Sequence, residues 1–150
     1  MQFSDAITVS ADLQHVWNVL DDPYAIGACV PGLEEVEVYD EGLSFGGKAH
    51  LKVGSSTLAF PARVTWVDQN APHGGRLRAV VALAGYEIEG QGAIMLSNSA
   101  DGQTTVAWEA EVVIPEKLAE NALVVQMARL FATRFFQDFF ACVQGRLGAV

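Results

Sequence analysis

Three histidines, two cysteines and two closely spaced glutamate pairs are the residues of this chain whose chemistry suits catalysis or metal binding. A metal needs converging ligands, yet His15, His50 and His73 do not fall at ligand spacing, and His50 stands beside Lys48 and Lys52 on what reads as the outward side of a strand. No metal site is expected. Glu87 with Glu89, and Glu109 with Glu111, are i, i+2 pairs, a spacing that puts both carboxylates on one face of a strand. Ile88 and Val112 claim the inward positions between them, so these glutamates read as solvent-facing rather than as an enclosed acid and base. Glu34-Glu35 and Asp21-Asp22 read as surface and capping charges. No G-x-S-x-G elbow is present, and neither Cys29 nor Cys142 has an evident basic partner. Two cysteines are too few for a disulfide framework and lack metal-ligand spacing; they read as buried free thiols. What remains is Tyr86 and Trp108, each with a hydrogen-bonding tip on an apolar body. Such groups orient a ligand more readily than they transform one, and no cofactor is expected.

The elements that must position these residues form one domain, 1–150. Hydrophobic residues make up 51% and charged residues 18%, which excludes a disordered chain, while no apolar run approaches the roughly 20 residues needed to cross a bilayer. Met1 to Asp5 carry no basic region or export segment, so the expected compartment is the cytoplasm, with the inner face of its membrane as the alternative. A net charge of -9 opposes the phosphate backbone, and a nucleic-acid role is discarded. The charge is uneven: residues 117–150 hold Lys117, Arg129, Arg134 and Arg146 against Glu120 and Asp138, a net +2 that leaves -11 on the rest. A solvated helix face accounts for this as well as an anionic surface or acidic partner does.

Ser10 is placed to cap a helix in which Leu13, Val16, Trp17 and Leu20 share one apolar face. A second helix restarts with Asp22 as its cap and Pro23 at its first position, and Pro31-Gly32 stops it. Alternation predicts seven strands, near 2–9, 33–40, 43–53, 57–68, 76–86, 87–97 and 103–114. Phe45, Gly47, Ala49, Leu51 and Val53 share one face, as do Leu58, Phe60, Ala62, Val64 and Trp66. Turn chemistry stands at Asp40 to Gly42, Gly54 to Ser56, Asn70 to Gly75 and Asn98 to Gly102, so consecutive strands pair antiparallel. From Pro115 about thirty residues read as one helix. Leu118, Ala122, Val125, Ala132, Phe136, Phe140, Val143 and Leu147 form one stripe, and Val124, Ala128, Phe131, Phe135, Phe139 and Cys142 an adjacent one. A half-apolar sheet needs such a cover.

The stretch from Val16-Trp17 through Leu20, Asp22-Pro23 and Pro31-Gly32 resembles the opening of the CoxG family of carbon monoxide dehydrogenase subunits. That family is a branch of the START-like (SRPBCC, Bet v 1-like) superfamily. The resemblance extends over nearly the whole chain, including the Glu89-Gly90-Gln91-Gly92 strand and the Phe135-Phe136 and Phe139-Phe140 pairs. It implies an α+β helix-grip fold: a seven-stranded curved antiparallel sheet wrapped around a long C-terminal helix, with two short helices after strand 1. It also implies a hydrophobic molecule held between sheet and helix. The sheet face with the bulky apolar residues carries many small ones, Gly47, Ala49, Ala62, Ala79, Gly90, Gly92 and Ala110, which either curve the sheet or leave room for a ligand.

Such a cavity would be lined by Phe60, Val64, Leu83, Tyr86, Ile94, Trp108, Phe131 and Phe135, with Tyr24, Ile26 and Val30 at its mouth. The leading expectation is non-enzymatic carriage of a quinone- or lipid-like molecule. The partner that the resemblance implies is a molybdenum-containing hydroxylase of the carbon monoxide dehydrogenase type. A polyketide cyclase or dehydratase-like enzyme and a ligand-free assembly module are the alternatives. Thirty helical residues outreach ten strand residues, about 45 Å against roughly 33 Å. The last turns are therefore expected to overhang, exposing Phe140, Val143 and Leu147 to a membrane, a hydroxylase or a second copy.

Overall fold

The computed structural model describes residues 1–40, 43–83 and 85–148, without the side chains of Leu51, Val53 and Leu83. Strand β1 (Gln2–Val9) leads into helices α1 (Leu13–Leu20) and α2 (Pro23–Cys29). Six strands follow: β2 (Leu33–Asp40), β3 (Ser44–Val53), β4 (Ser56–Asn70), β5 (Gly74–Leu83), β6 (Tyr86–Ala100) and β7 (Gln103–Val113). A short helix α3 (Glu116–Ala119) and the long α4 (Ala122–Leu147) complete the chain. The sheet runs β1-β7-β6-β5-β4-β3-β2, antiparallel throughout. This is the α+β helix-grip arrangement that the family resemblance implies.

Local chemistry explains most boundaries. Asp22 accepts hydrogen bonds from the Tyr24 and Ala25 amides at 2.9 and 3.4 Å, with Pro23 in the first turn of α2. The cap of α1 is Asp12 rather than Ser10: its carboxylate accepts from the His15 amide at 2.8 Å, and α1 starts only at Leu13. Strand β5 ends at Leu83 and β6 begins at Tyr86, slightly before the expected boundary, and Gly85 ahead of β6 takes φ +81°, which suits glycine. Of the expected Asp40-Glu41-Gly42 turn, Glu41 and Gly42 lie outside the described residues.

The expected thirty-residue helix is two helices. Asn121 leaves helical geometry and accepts from the Leu123 and Val124 amides at 3.0 and 3.4 Å, capping α4 and separating it from α3. The cysteines are also corrected. Cys29 and Cys142 form a disulfide that fastens the end of α2 to α4 across 113 residues of sequence. Cys29 is buried and Cys142 half-buried, and their Cα atoms, 5.4 Å apart, are within bridging range.

The core lies at one end of the molecule. Val9, Val16, Trp17, Leu20, Trp66, Ile94, Leu96, Val106, Trp108, Phe140, Val143 and Leu147 bury one another there. The end of α4 is tied down: the Ser10 amide donates to the Gly148 carbonyl at 2.8 Å, and the Gln144 amide to the Thr8 carbonyl at 3.0 Å. The expected overhang of the last turns is therefore wrong. Phe140, Val143 and Leu147 are only 6%, 0% and 5% exposed, because the helix runs back into the α1–β1 end rather than past it. The half of α4 left uncovered is the first.

Candidate ligand-binding site

Strand register places the inward residues in rows. One row runs Phe3, Ala110, Gly92, Leu77 and Trp66; the next runs Val112, Gly90, Ala79, Val64 and Phe45; a third runs Ile88, Val81, Ala62 and Gly47. Nearer the core, Ile94 pairs with Trp108 and Leu96 with Val106, all four buried. Farther from it, Phe60, Ala62, Val64, Ala79, Val81, Tyr86, Ile88, Gly90, Gly92, Ala110 and Val112 are all half-buried. Apolar side chains on the concave face of a sheet are thus covered at one end and partly open at the other. By backbone proximity α4 lies nearest α2, α3 and β1, and its side chains reach the sheet where Phe136 and Phe140 stack on Trp108 of β7.

The small residues divide into two kinds. A Cβ on Gly47 would lie 2.5 Å from the Glu34 carbonyl, where β2 bulges between Glu34 and Glu37 and crosses closely, so this glycine serves strand packing. A Cβ on Gly90 would have one atom within 4 Å, the Glu111 carbonyl at 3.7 Å. Nothing from α4 descends onto Gly90, so its small size leaves an open trough.

The expected lining residues separate accordingly. Phe60, Val64 and Tyr86 lie along the trough, and Val81, Ile88 and Val112 complete its apolar wall. The alternation of β5 to β7 carried the signal for these last three. Of Leu83, only the backbone pairing with Tyr86 is described. Ile94 and Trp108 belong to the closed end. There Trp108 stacks on Phe136 and Phe140, with ring centroids 4.8 and 4.6 Å away, and its indole N–H is buried with no partner among the described residues. Phe135 is half-buried and packs edge-on to Phe136, while Phe131 is exposed. Ile26 packs against the core, Val30 ends α2 half-buried, and Tyr24 points into solvent on α2. Val30 is the nearest of the three to Phe60: its carbonyl accepts from the Leu33 amide, Leu33 pairs with Ala49, and Ala49 with Phe60.

The outer face is polar. Glu87, Glu109 and Glu111 are exposed, and Glu89 pairs with Arg78 at 2.5 Å. The Arg78 hydrogen bond lowers the Glu89 carboxyl below the ordinary glutamate value, and the same contact raises the guanidinium. His50 stands outward, its Nδ1 3.7 Å from Glu34. A concavity of about 580 Å³ is lined by Gln2, Ser4, Arg76, Gln91, Glu109 and Glu111 of this face together with Phe3, Leu77, Gly92 and Ala110 of the first inner row. Among the described residues no cluster of three or more His, Cys, Asp or Glu is arranged to hold a metal ion.

The family model for CoxG, a carbon monoxide dehydrogenase subunit, matches residues 6–148, nearly the whole chain. The chain belongs to this family. Structurally, this CoxG-family protein is similar to a conserved protein from Geobacillus kaustophilus, with a TM-score of 0.84 at 19% identity, covering 98% of this chain and 95% of that one. It is also similar to a START superfamily protein from Mycobacterium smegmatis, with a TM-score of 0.65 at 11% identity, covering 97% and 96%. At such identities the likeness establishes the fold alone. No curated protein matches the sequence. Among the described residues, no helix is long and apolar enough to cross a membrane.

Proposed function

We propose that this CoxG-family protein binds a small hydrophobic molecule of the quinone or lipid class in the trough between its sheet and α4. It carries that molecule without chemical change, in the service of a carbon monoxide dehydrogenase-type molybdenum hydroxylase. The observation that carries this reading is the half-buried apolar wall from Phe60 to Val112, with space beside Gly90 that no side chain fills. A folded chain gains by burying such a surface; an apolar guest does the same, at about 25 cal/mol per Å² removed from water. Several residues covered in this way support micromolar binding. The hydroxylase partner rests on family membership.

Trp108 adds selectivity. A buried donor without an acceptor costs about 1 to 3 kcal/mol, and a guest oxygen at the head of the trough would relieve that cost. This favours a carbonyl-bearing cargo, such as a quinone, over a plain hydrocarbon. The inward residues of β3 to β7 that the structure describes include the polar Ser56, Gln69, Tyr86, Asn98 and Thr104 but no carboxylate or imidazole, a wall for holding rather than for proton transfer.

Native mass spectrometry of the purified protein, followed by organic extraction, tests the reading. The expected result is an adduct that the solvent removes and that an added quinone or lipid restores. A clean protein mass that no such compound shifts overturns it. Trp108→Phe keeps the aromatic stack and removes the donor. Affinity for a carbonyl-bearing ligand is expected to fall about 2- to 10-fold, the value of one neutral hydrogen bond, while the stability of the empty protein holds or rises.

A further inference from the structure

We infer that the Cys29–Cys142 disulfide is a redox-operated clasp on the trough: oxidised, it keeps cargo in, and a dithiol reductant that opens it lets cargo leave. The inference deepens the carrier reading and rests on it. Topology supplies the first reason. The sheet has two edges, β1 and β2, and each carries a helix, α4 on β1 and α2 on β2. A bond between α2 and α4 therefore joins the two edges and turns an open, curved sheet into a closed ring of elements. Among the described residues no hydrogen bond or ion pair joins α2 to α4, so only apolar packing supports the two sulfurs there.

Each side keeps its own ties when the bridge opens. Helix α4 stays held by Ser10 on Gly148, by Gln144 on Thr8, and by Phe136 and Phe140 on Trp108. Helix α2 stays seated on β2, where a Cβ on Gly27 would lie 2.7 Å from the Val36 side chain, and the Gly32 carbonyl accepts from the His50 amide at 2.8 Å. Among the described residues the main core draws side chains from α1, β1, β4, β6, β7 and α4, and none from β2 or β3. Reduction thus frees the β2–β3 edge with α2 and leaves the fold in place. That edge borders the trough: Val30, directly after Cys29, reaches Phe60 of the wall through Leu33 and Ala49.

Exposure sets the order of events. Cys142 is half-buried whereas Cys29 is only 4% exposed, so a thiolate of the reductant attacks the Cys142 Sγ. The Sγ–Sγ bond breaks as a mixed disulfide forms, and Cys29 leaves as a thiolate and takes up a proton. The reductant's second thiolate then displaces Cys142, which leaves and is protonated in turn. Two electrons and two protons pass to the protein sulfurs, and the dithiol ends as a disulfide. The chain has two cysteines, so no other pairing within it competes and oxidation restores the same bond. Where the closed form is only a fraction of the reduced population, apparent affinity falls by that fraction; a closed share of about one tenth weakens binding about tenfold.

Release of cis-parinaric acid, a fluorescent lipid probe, from the full chain tests this in dithiothreitol and in its oxidised form, with free thiols counted by alkylation and mass spectrometry. Reduced protein is expected to release the probe about tenfold faster than oxidised protein, with unchanged circular dichroism and recovery on reoxidation. The Cys29→Ala/Cys142→Ala double variant should release it fast under both conditions. Hydrogen exchange on reduction should quicken in α2 and β2 while residues 136–147 keep their protection. Equal release from oxidised and reduced protein overturns the clasp and leaves the carrier reading standing. Oxidised protein that never takes up the probe overturns the carrier reading and the clasp with it. A bridge that dithiothreitol cannot open in the folded protein overturns the clasp alone. So does unfolding on reduction or in the double variant, because the bridge is then a staple for the fold.

Discussion

Gly47 and Gly90 share the inner face of the sheet yet answer to different neighbours. At Gly47 the Glu34 carbonyl stands where a side chain would go, so Gly47→Val is expected to destabilise by about 1 to 3 kcal/mol in urea titration. Gly90 has room and needs no special backbone angle. Gly90→Val should hold stability or raise it by about 0.5 to 1 kcal/mol, because glycine weakens strands, while filling the trough and displacing ligand. A Gly90→Val protein that unfolds, or that keeps full ligand occupancy, would contradict the open trough. On the opposite face, the lowered Glu89 carboxyl makes a pH-dependent contribution. A group whose folded pKa lies below its unfolded one stabilises above the unfolded value and loses that effect as pH falls through the folded value. The difference in melting temperature between wild type and Glu89→Gln should be present at neutral pH and vanish in acid. A difference that grows on acidification would reverse the assigned sign.

Among the elements, the disulfide between α2 and α4 holds the largest single stabilisation open to test. Closing a loop of this length restricts the unfolded chain strongly, so reduction or Cys29→Ser is expected to cost about 2 to 5 kcal/mol, read as a lower denaturation midpoint. An unchanged midpoint under reductant would show that the bridge restrains nothing. The strands, the Asp22-Pro23 start of α2 and the Pro31-Gly32 stop were legible because alternation and capping are written in neighbouring residues. The bridge was not: Cys29 and Cys142 carry no local mark of each other, and only tertiary packing brings them together. The break at Asn121 was hidden for a related reason. The apolar stripe continues from Leu118 across it, and a cap one residue wide does not disturb a pattern read over several turns.

At the scale of the molecule, one end is packed and the other open. Sequence periodicity showed that α4 has a wide apolar face but could not say which half the sheet would cover, since Phe131 and Phe140 read alike until β1 and the α1–α2 pair are in place. Unequal packing implies unequal local stability. In hydrogen exchange, amides of residues 122–133 are expected to exchange well before those of 136–147, and a bound cargo should slow β5, β6 and the first half of α4 most. Uniform protection along α4 would argue that the trough is closed.

The Cys29–Cys142 link has a topological consequence as well. It makes residues 29–142 a covalent ring containing every strand but the first. A protease that cuts once anywhere inside the ring, for instance at the exposed Gly54-Ser55 turn, produces two fragments that still travel as one molecule. They separate only when a thiol reagent opens the ring, so nicking remains invisible on a gel run without reductant.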